Sequence, residues 1–239
     1  MGYNKIFIYG DVGDDIGYVE LLDTMGSDAT VVNAAKESYA KEIKVLTEKD
    51  AKLIRYLLEN RHTSPFEHCK LTFRVKVPLF VRSQHMRHRM ANYNEVSRRY
   101  TSENLEFYLP RYFRSQHDNN HQASNDDKID PVVVQPFSGF VDPTTATMAV
   151  GDIAKRATET YESMLKAGIA REQARMVLPQ NLYTEYWNTQ DLHNLMHFLS
   201  LRNHPHAQWE IKKVAEAMQM LASNKFPVTM KIFKEANNG

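Results

Sequence analysis

Residues 87–100 read Arg-His-Arg-Met-Ala-Asn-Tyr-Asn-Glu-Val-Ser-Arg-Arg-Tyr, so four arginines and a histidine crowd around one carboxylate, Glu95, and one serine, Ser97. Guanidinium groups this close repel one another unless an anion lies between them. Each presents a planar fork of donors that matches phosphate or carboxylate oxygens. The run is either a solvated basic face or a site for a small phosphorylated ligand. A second constellation, His62-Thr63-Ser64-Pro65-Phe66-Glu67-His68, predicts a turn in which the proline holds Ser64 extended. A third pair, His193 and His197, has the four-residue spacing of a two-histidine metal site. No Glu follows His193 and no cysteine cluster exists, so solvated or ligand-stacking imidazoles fit better than zinc. There is no Gly-x-Gly-x-x-Gly and no Gly-Lys-Ser/Thr loop. A dinucleotide would have to be held by Arg and His side chains instead of a Rossmann turn.

Several elements must position these groups. Lys5–Tyr9 alternates as a strand, residues 10–17 form a Gly/Asp-rich turn, and a second strand follows at Tyr18–Leu22. Ser27 caps a helix through Val31, Val32 and Ala35. Thr47 and Asp50 have capping-box spacing before a helix with Leu53, Ile54, Leu57 and Leu58 on one face. Residues 69–77 alternate as a half-buried strand, with Leu71, Phe73, Val75 and Val77 facing one way. Phe80 to about Met90 reads as helix, and the basic motif leaves its end as a loop. Residues 115–147 are too polar for core and read as a long surface loop or partly ordered insertion. Helices are predicted at Asp152–Lys166, with Gly168 as C-cap, at Arg171–Leu178, at Asp191–Leu201 and at Ala207–Leu221. The fold class is α+β: one elaborated domain over 1–239, a small antiparallel sheet packed with several helices.

The composition narrows the function. A formal net charge of +1 makes the basic run a local concentration on a neutral chain, against a general nucleic-acid binder. No apolar run approaches the ~18 residues a membrane span requires. The N-terminus lacks a basic region followed by an apolar core, so no secretory signal is expected. A single cysteine, Cys69, forms no intrachain disulfide and points to a reducing cytoplasm. Cys69 sits in a strand alternation with no helix N-terminus behind it, the setting of an ordinary strand residue and not of an activated thiolate.

Arg87-His88-Arg89, seven residues, then Ser97, with Asn94-Glu95 inside and Arg99-Tyr100 after, resembles the defining motif of flavin-dependent thymidylate synthases. The resemblance runs from about Asp23 to Glu210. It departs at Asn92, where Ser is usual, and at Asp191, where Asn is common. It implies methylation of dUMP to dTMP, with methylenetetrahydrofolate as carbon donor and FAD reduced by NADPH as hydride source. By resemblance the nucleotide meets Gln84, His85, Met86, Arg87, Glu95, Val96, Ser97, Arg98, Arg99, Arg175 and Arg202. Ser97, Arg99 and Arg175 clamp the phosphate, and Arg202 is the catalytic arginine beside the pyrimidine. The flavin meets Ser64, Arg87, His88, Arg89, Glu95, Asp191, Leu192, His193 and His197, with His62 on the folate and flavin side. No protein nucleophile is needed and no metal is implied. The resemblance also implies a homotetramer with active sites shared between subunits. Two other readings stay open: a nucleic-acid module using 87–99, and a flavoprotein without synthase activity.

Overall fold

The computed structural model of the protein describes residues 4–10, 12–37, 42–97, 105–117, 124–135 and 142–237. Its centre is an antiparallel five-stranded sheet in the order β1-β2-β3-β9-β4. The strands are β1 (Lys5–Phe7), β2 (Tyr18–Met25), β3 (Lys70–Pro78), β4 (Asn92–Glu95) and β9 (Tyr183–Asp191). β3 follows the expected alternation: Leu71, Phe73, Val75 and Val77 are fully buried, while Lys70, Thr72, Arg74 and Lys76 face the other way. The buried face packs beneath α4 (Leu79–His85), α7 (Leu192–Arg202) and α8 (Trp209–Ser223). The opposite face carries charge instead, with Arg74 set between Glu20 at 3.3 Å and Glu185 at 3.7 Å.

Local chemistry explains the helix starts. Thr47 N and Oγ1 both donate to Asp50 Oδ2, at 2.9 and 2.7 Å, at the head of α2 (Glu48–Glu59). Lys36 Nζ closes on the other Asp50 oxygen at 2.5 Å, tying α1 (Asp28–Lys36) to α2. α9 (Pro227–Asn237), which sequence patterning missed, is capped from far away. The buried Asp28 carboxylate accepts from Val228 N and Thr229 N, both at 2.9 Å, and from Thr229 Oγ1 at 2.6 Å. Gly17 is required sterically, since a Cβ there would lie 2.5 Å from the Tyr9 ring.

Several expectations change. Ser64 is not extended: it opens a short helix, α3 (Ser64–Glu67), because Pro65 is accommodated in the first helical turn, where its missing N–H costs nothing. α4 stops at His85, and the motif continues into β4 instead of a loop. β4 zips onto β9 with Asn92 opposite Thr189 and Glu95 opposite Tyr186. The polar region 115–147 is not wholly loop. Its described parts form two ribbons, β5 (Phe113–Gln116) with β6 (Ser124–Ile129) and β7 (Val132–Gln135) with β8 (Asp142–Thr145). The helix behind them, α5 (Ala146–Lys166), starts earlier than expected, where the Thr145 side chain caps it. A short helix α6 (Arg171–Ala174) and a 3-10 turn at Arg175–Val177 replace the expected helix to Leu178.

Candidate active site

The stretch after α4 is a tight turn fixed by the Tyr93 hydroxyl, which donates to the carbonyls of His85 at 3.1 Å and His88 at 3.0 Å. That turn aims Arg87, His88 and Arg89 into a cavity of about 580 Å³, whose other walls are Gln190, Asn194, His197, Leu201 and Arg202. Arg202, in the last turn of α7, donates from Nε to His88 Nε2 at 3.1 Å. A guanidinium can only donate, so His88 accepts at Nε2 and carries its proton on Nδ1. Burial first, then the Arg202 charge and His197, push the His88 pKa down to about 4, so the ring is neutral at pH 7. Burial also lowers Arg202 from its ordinary value, but a guanidinium stays charged at neutral pH. The result is a partly desolvated fixed cation held by a neutral imidazole, an arrangement that stabilises anionic character in a bound ring.

Two further observations mark this cavity as a ligand site. Gln190 is 3% exposed, and its Nε2 is buried without a hydrogen-bond partner; both amide atoms of Asn188, two residues earlier on β9, are in the same state. Unpaired buried polar groups of this kind are rare and call for a ligand or ordered water. A neighbouring cavity of about 480 Å³ shares His197 as a wall and adds His62, Thr63, Phe66, His193, Met196 and Phe233. The first is lined by three arginines, Arg87, Arg89 and Arg202, and the second mostly by apolar and imidazole side chains. That donor set suits a flavin dinucleotide: guanidinium groups for the pyrophosphate, flat side chains for the ring.

The other half of the predicted nucleotide set lies elsewhere. Glu95, Val96, Ser97 and Arg175 line a separate cavity of about 400 Å³ with Arg82, Leu178, Tyr183 and Thr184. Arg82, which sequence reasoning missed, grips Glu95 with Nε 3.0 Å from both carboxylate oxygens and Nη2 2.6 Å from one. Thr184 Oγ1 donates to the same carboxylate at 2.7 Å. Glu95 therefore anchors β4 to α4 and β9. Nothing in the local sequence of Arg82 distinguishes it from a surface arginine.

Three residues expected to contact ligand have side chains engaged within the fold. The His85 imidazole is fully buried, stacked at 4.7 Å on Phe198 with Nδ1 2.7 Å from the Tyr186 hydroxyl, so its side chain supports the site from within the core. Burial, then His88 and Arg202, push its pKa down to about 3. Leu192 is likewise fully buried, and its N–H is taken by the Cys69 carbonyl at 2.9 Å. Asp191 caps α7, both its oxygens accepting from Asn194 at 2.8 Å, so its side chain is committed to the helix. Ser64 is exposed and is not among the residues lining the smaller of the two cavities, to which Thr63 and Phe66 contribute. Met86 and Gln84 are half-buried on the motif's approach. Arg98 and Arg99 lie outside the described residues. Cys69 is fully buried, its thiol pushed up to about 11 chiefly by burial, which suits packing and not nucleophilic attack. Among the described residues no group of three or more His, Cys, Asp or Glu could hold a metal ion, and no helix is long and apolar enough to cross a membrane.

Comparison with known proteins agrees with this geometry. The family described as thymidylate synthase complementing protein matches residues 20–228. A flavin-dependent thymidylate synthase of Thermus thermophilus is 44% identical over 221 residues, covering 92% of this chain and 77% of the relative. One from Thermotoga neapolitana is 39% identical over 223 residues, covering 92% and 91%. Among solved structures, the UMP/dUMP methylase PolB of Streptomyces cacaoi bound with 5-Br dUMP superposes with a TM-score of 0.75 at 35% identity, over 91% of this chain and 94% of that one. With a family match over residues 20–228 and relatives 44% and 39% identical over most of its length, the chain belongs to the flavin-dependent thymidylate synthase family.

Proposed function

We propose that this protein methylates dUMP to dTMP, with methylenetetrahydrofolate as carbon donor, NADPH as reductant and FAD as cofactor. The observation that carries the reading is the Arg202–His88 pair in the cavity formed by the Arg-His-Arg motif. Bound FAD, once reduced by NADPH, supplies the hydride. The chain supplies placement and electrostatics. Arg202 lies against the pyrimidine and favours its N3-deprotonated form, because a fixed cation in a partly dry site stabilises the anion. Neutral His88 holds the Nε edge of Arg202 and leaves the outer guanidinium nitrogens for the ring. Arg87, Arg89, His193 and His197 hold the flavin, with His62 at the folate side. Ser97 and Arg175, with Arg99, take the phosphate.

We infer further that the active site is assembled from two chains of a homotetramer. Gln190 lines the Arg202 cavity and Thr184 the Arg175 cavity. They are six residues apart on β9, roughly 20 Å along an extended strand. One nucleotide cannot bridge that span within a chain. A second copy could bring its Ser97 and Arg175 to the first copy's Arg202. Met90 at 72% and Leu201 at 52% exposure flank one half-site, and Val96 at 46% and Met176 at 74% flank the other. Exposed apolar side chains around charged half-sites fit an interface core better than a solvent surface. The cytoplasm is the proposed compartment, on the strength of the lone reduced thiol.

A flavin absorbance spectrum of the purified protein, followed by tritium release from dUMP labelled at C5 with folate donor and NADPH present, tests the activity. Flavin bands with tritium release are expected. A flavin-loaded, folded protein that releases no tritium would mean an inert flavoprotein; a flavin-free protein would remove both readings.

A further inference from the structure

A line of side chains on the wall of a further cavity of about 280 Å³, which Arg114, Ser124, Gln208 and Glu210 help to form, ends on the half-buried Gln84, one turn before Arg87. Arg114, on β5, donates from Nη2 to Glu210 Oε1 at 2.7 Å. The pair is largely dry, with Arg114 14% and Glu210 7% exposed. Arg114 is held in turn by Ser124 Oγ at 3.0 Å and lies 5.2 Å over the Trp209 ring. The second oxygen, Glu210 Oε2, accepts from Gln208 Nε2 at 2.9 Å. Gln208 Oε1 accepts from Gln84 Nε2.

The direction of this chain is dictated by its charged end. A carboxylate paired with a guanidinium can only accept. Gln208 must therefore turn its amide nitrogen toward Glu210, which leaves its oxygen for Gln84. Gln84 must in turn present its nitrogen inward. A free glutamine amide can rotate to offer either atom; this one is set by a charge two residues away in the relay. We propose that Glu210 and Gln208 are positioning residues that fix Gln84 with Oε1 outward, so that it receives a hydrogen-bond donor of the bound nucleotide. Arg114 makes the ribbon following the motif part of this device. The inference rests on the reading of Gln84 as a nucleotide contact.

The test uses flavin-loaded protein and measures dUMP dissociation by calorimetry, with flavin content and melting temperature beside it. Glu210→Gln reverses the relay, because the new amide must turn its oxygen to Arg114 and its nitrogen to Gln208, so that Gln84 presents its nitrogen outward; loss of one oriented neutral bond raises the dUMP Kd about threefold to tenfold with flavin content unchanged. The exchanged pair Gln208→Glu with Glu210→Gln restores the direction and brings the Kd back to within about twofold of the parent. In a Gln84→Ala background, Glu210→Gln adds less than about a twofold change, since its effect passes through Gln84. Should Glu210→Gln fail to fold, Gln208→Met leaves the Arg114–Glu210 pair in place and is expected to give the same loss and the same non-additivity. An equal Kd increase with and without Gln84, or none in either folded variant, overturns the relay while leaving Gln84 as a contact. An unchanged Kd in Gln84→Ala alone removes the contact and the relay together.

Discussion

Mixing two dead variants should restore activity. Arg202→Ala removes the cation from one half-site and Arg175→Ala removes the phosphate ligand from the other, and the two arginines line separate cavities. Each lost charged hydrogen bond contributes about 1.5–3 kcal/mol, so each single variant falls by at least tenfold, and Arg202→Ala by much more through its role at the ring. In a random equal mixture of subunits, half of the first half-sites keep Arg202 and half of the second keep Arg175. If each site draws one half from each of two chains, about a quarter of the sites are intact, and the mixture recovers about a quarter of the parental rate. The assay is tritium release from co-expressed, differently tagged variants purified through both tags, so that every particle is mixed. Recovery only to the mean of the two singles, in mixed particles that bind flavin, would place each site within one chain.

Arg202→Ala alone should keep its flavin and its fold yet lose nearly all methyl transfer; loss of flavin in an otherwise active protein would reassign this arginine to the cofactor. Cys69→Ser should turn over within a few-fold of the parent while melting somewhat lower, because a hydroxyl replaces a fully buried thiol; a folded, flavin-loaded but dead variant would restore a nucleophilic role. Asp28→Ala strands three donors at the head of α9 and should cost about 3 kcal/mol or more, read as a fall in melting temperature. His85 is a base whose pKa falls on folding, to about 3, so the unfolded chain binds its proton first and stability declines as pH drops from the ordinary histidine range toward that value. The His85 contribution approaches 1.4 kcal/mol per pH unit within that window, and His85→Phe should flatten the decline of melting temperature with acid by about one proton's worth.

Elements whose inward positions are apolar were legible in the sequence, and those whose inward positions are polar were not. β3 buries Leu71, Phe73, Val75 and Val77, so its period of two stood out. Its partner β9 alternates just as strictly, but its inward residues after Tyr183 are Thr184, Tyr186, Asn188 and Gln190, which carry almost no hydropathy contrast. β4 is Asn-Tyr-Asn-Glu and owes its existence to pairing with β9, a strand nearly a hundred residues later in the chain. The capping residue of α9, Asp28, comes from the other end of the protein, so the only local start signal is Pro227 at its first position. Arg82 and the Gln208–Glu210 relay were silent for the same reason: a partner in space leaves no spacing in sequence.

The motif itself shows where chain adjacency misleads. Arg87, His88, Arg89, Glu95 and Ser97 were grouped into one site because they are neighbours in sequence. Between them runs β4, four residues of extended chain, and Val96 N continues the ladder by donating to Glu185 O at 3.0 Å. Extended backbone separates its ends by roughly 3.3 Å per residue, so the compact motif becomes two clusters at opposite ends of an edge strand. A sheet edge is also where another chain is most readily received. Two copies meeting there with their β4 ends opposed would place each Arg-His-Arg arm beside the other copy's Ser97. If the proposed assembly pairs two chains in this way, an insertion or deletion within residues 90–94 should abolish activity even where both clusters fold intact, and a folded, flavin-loaded variant of that kind that stays active would exclude the pairing.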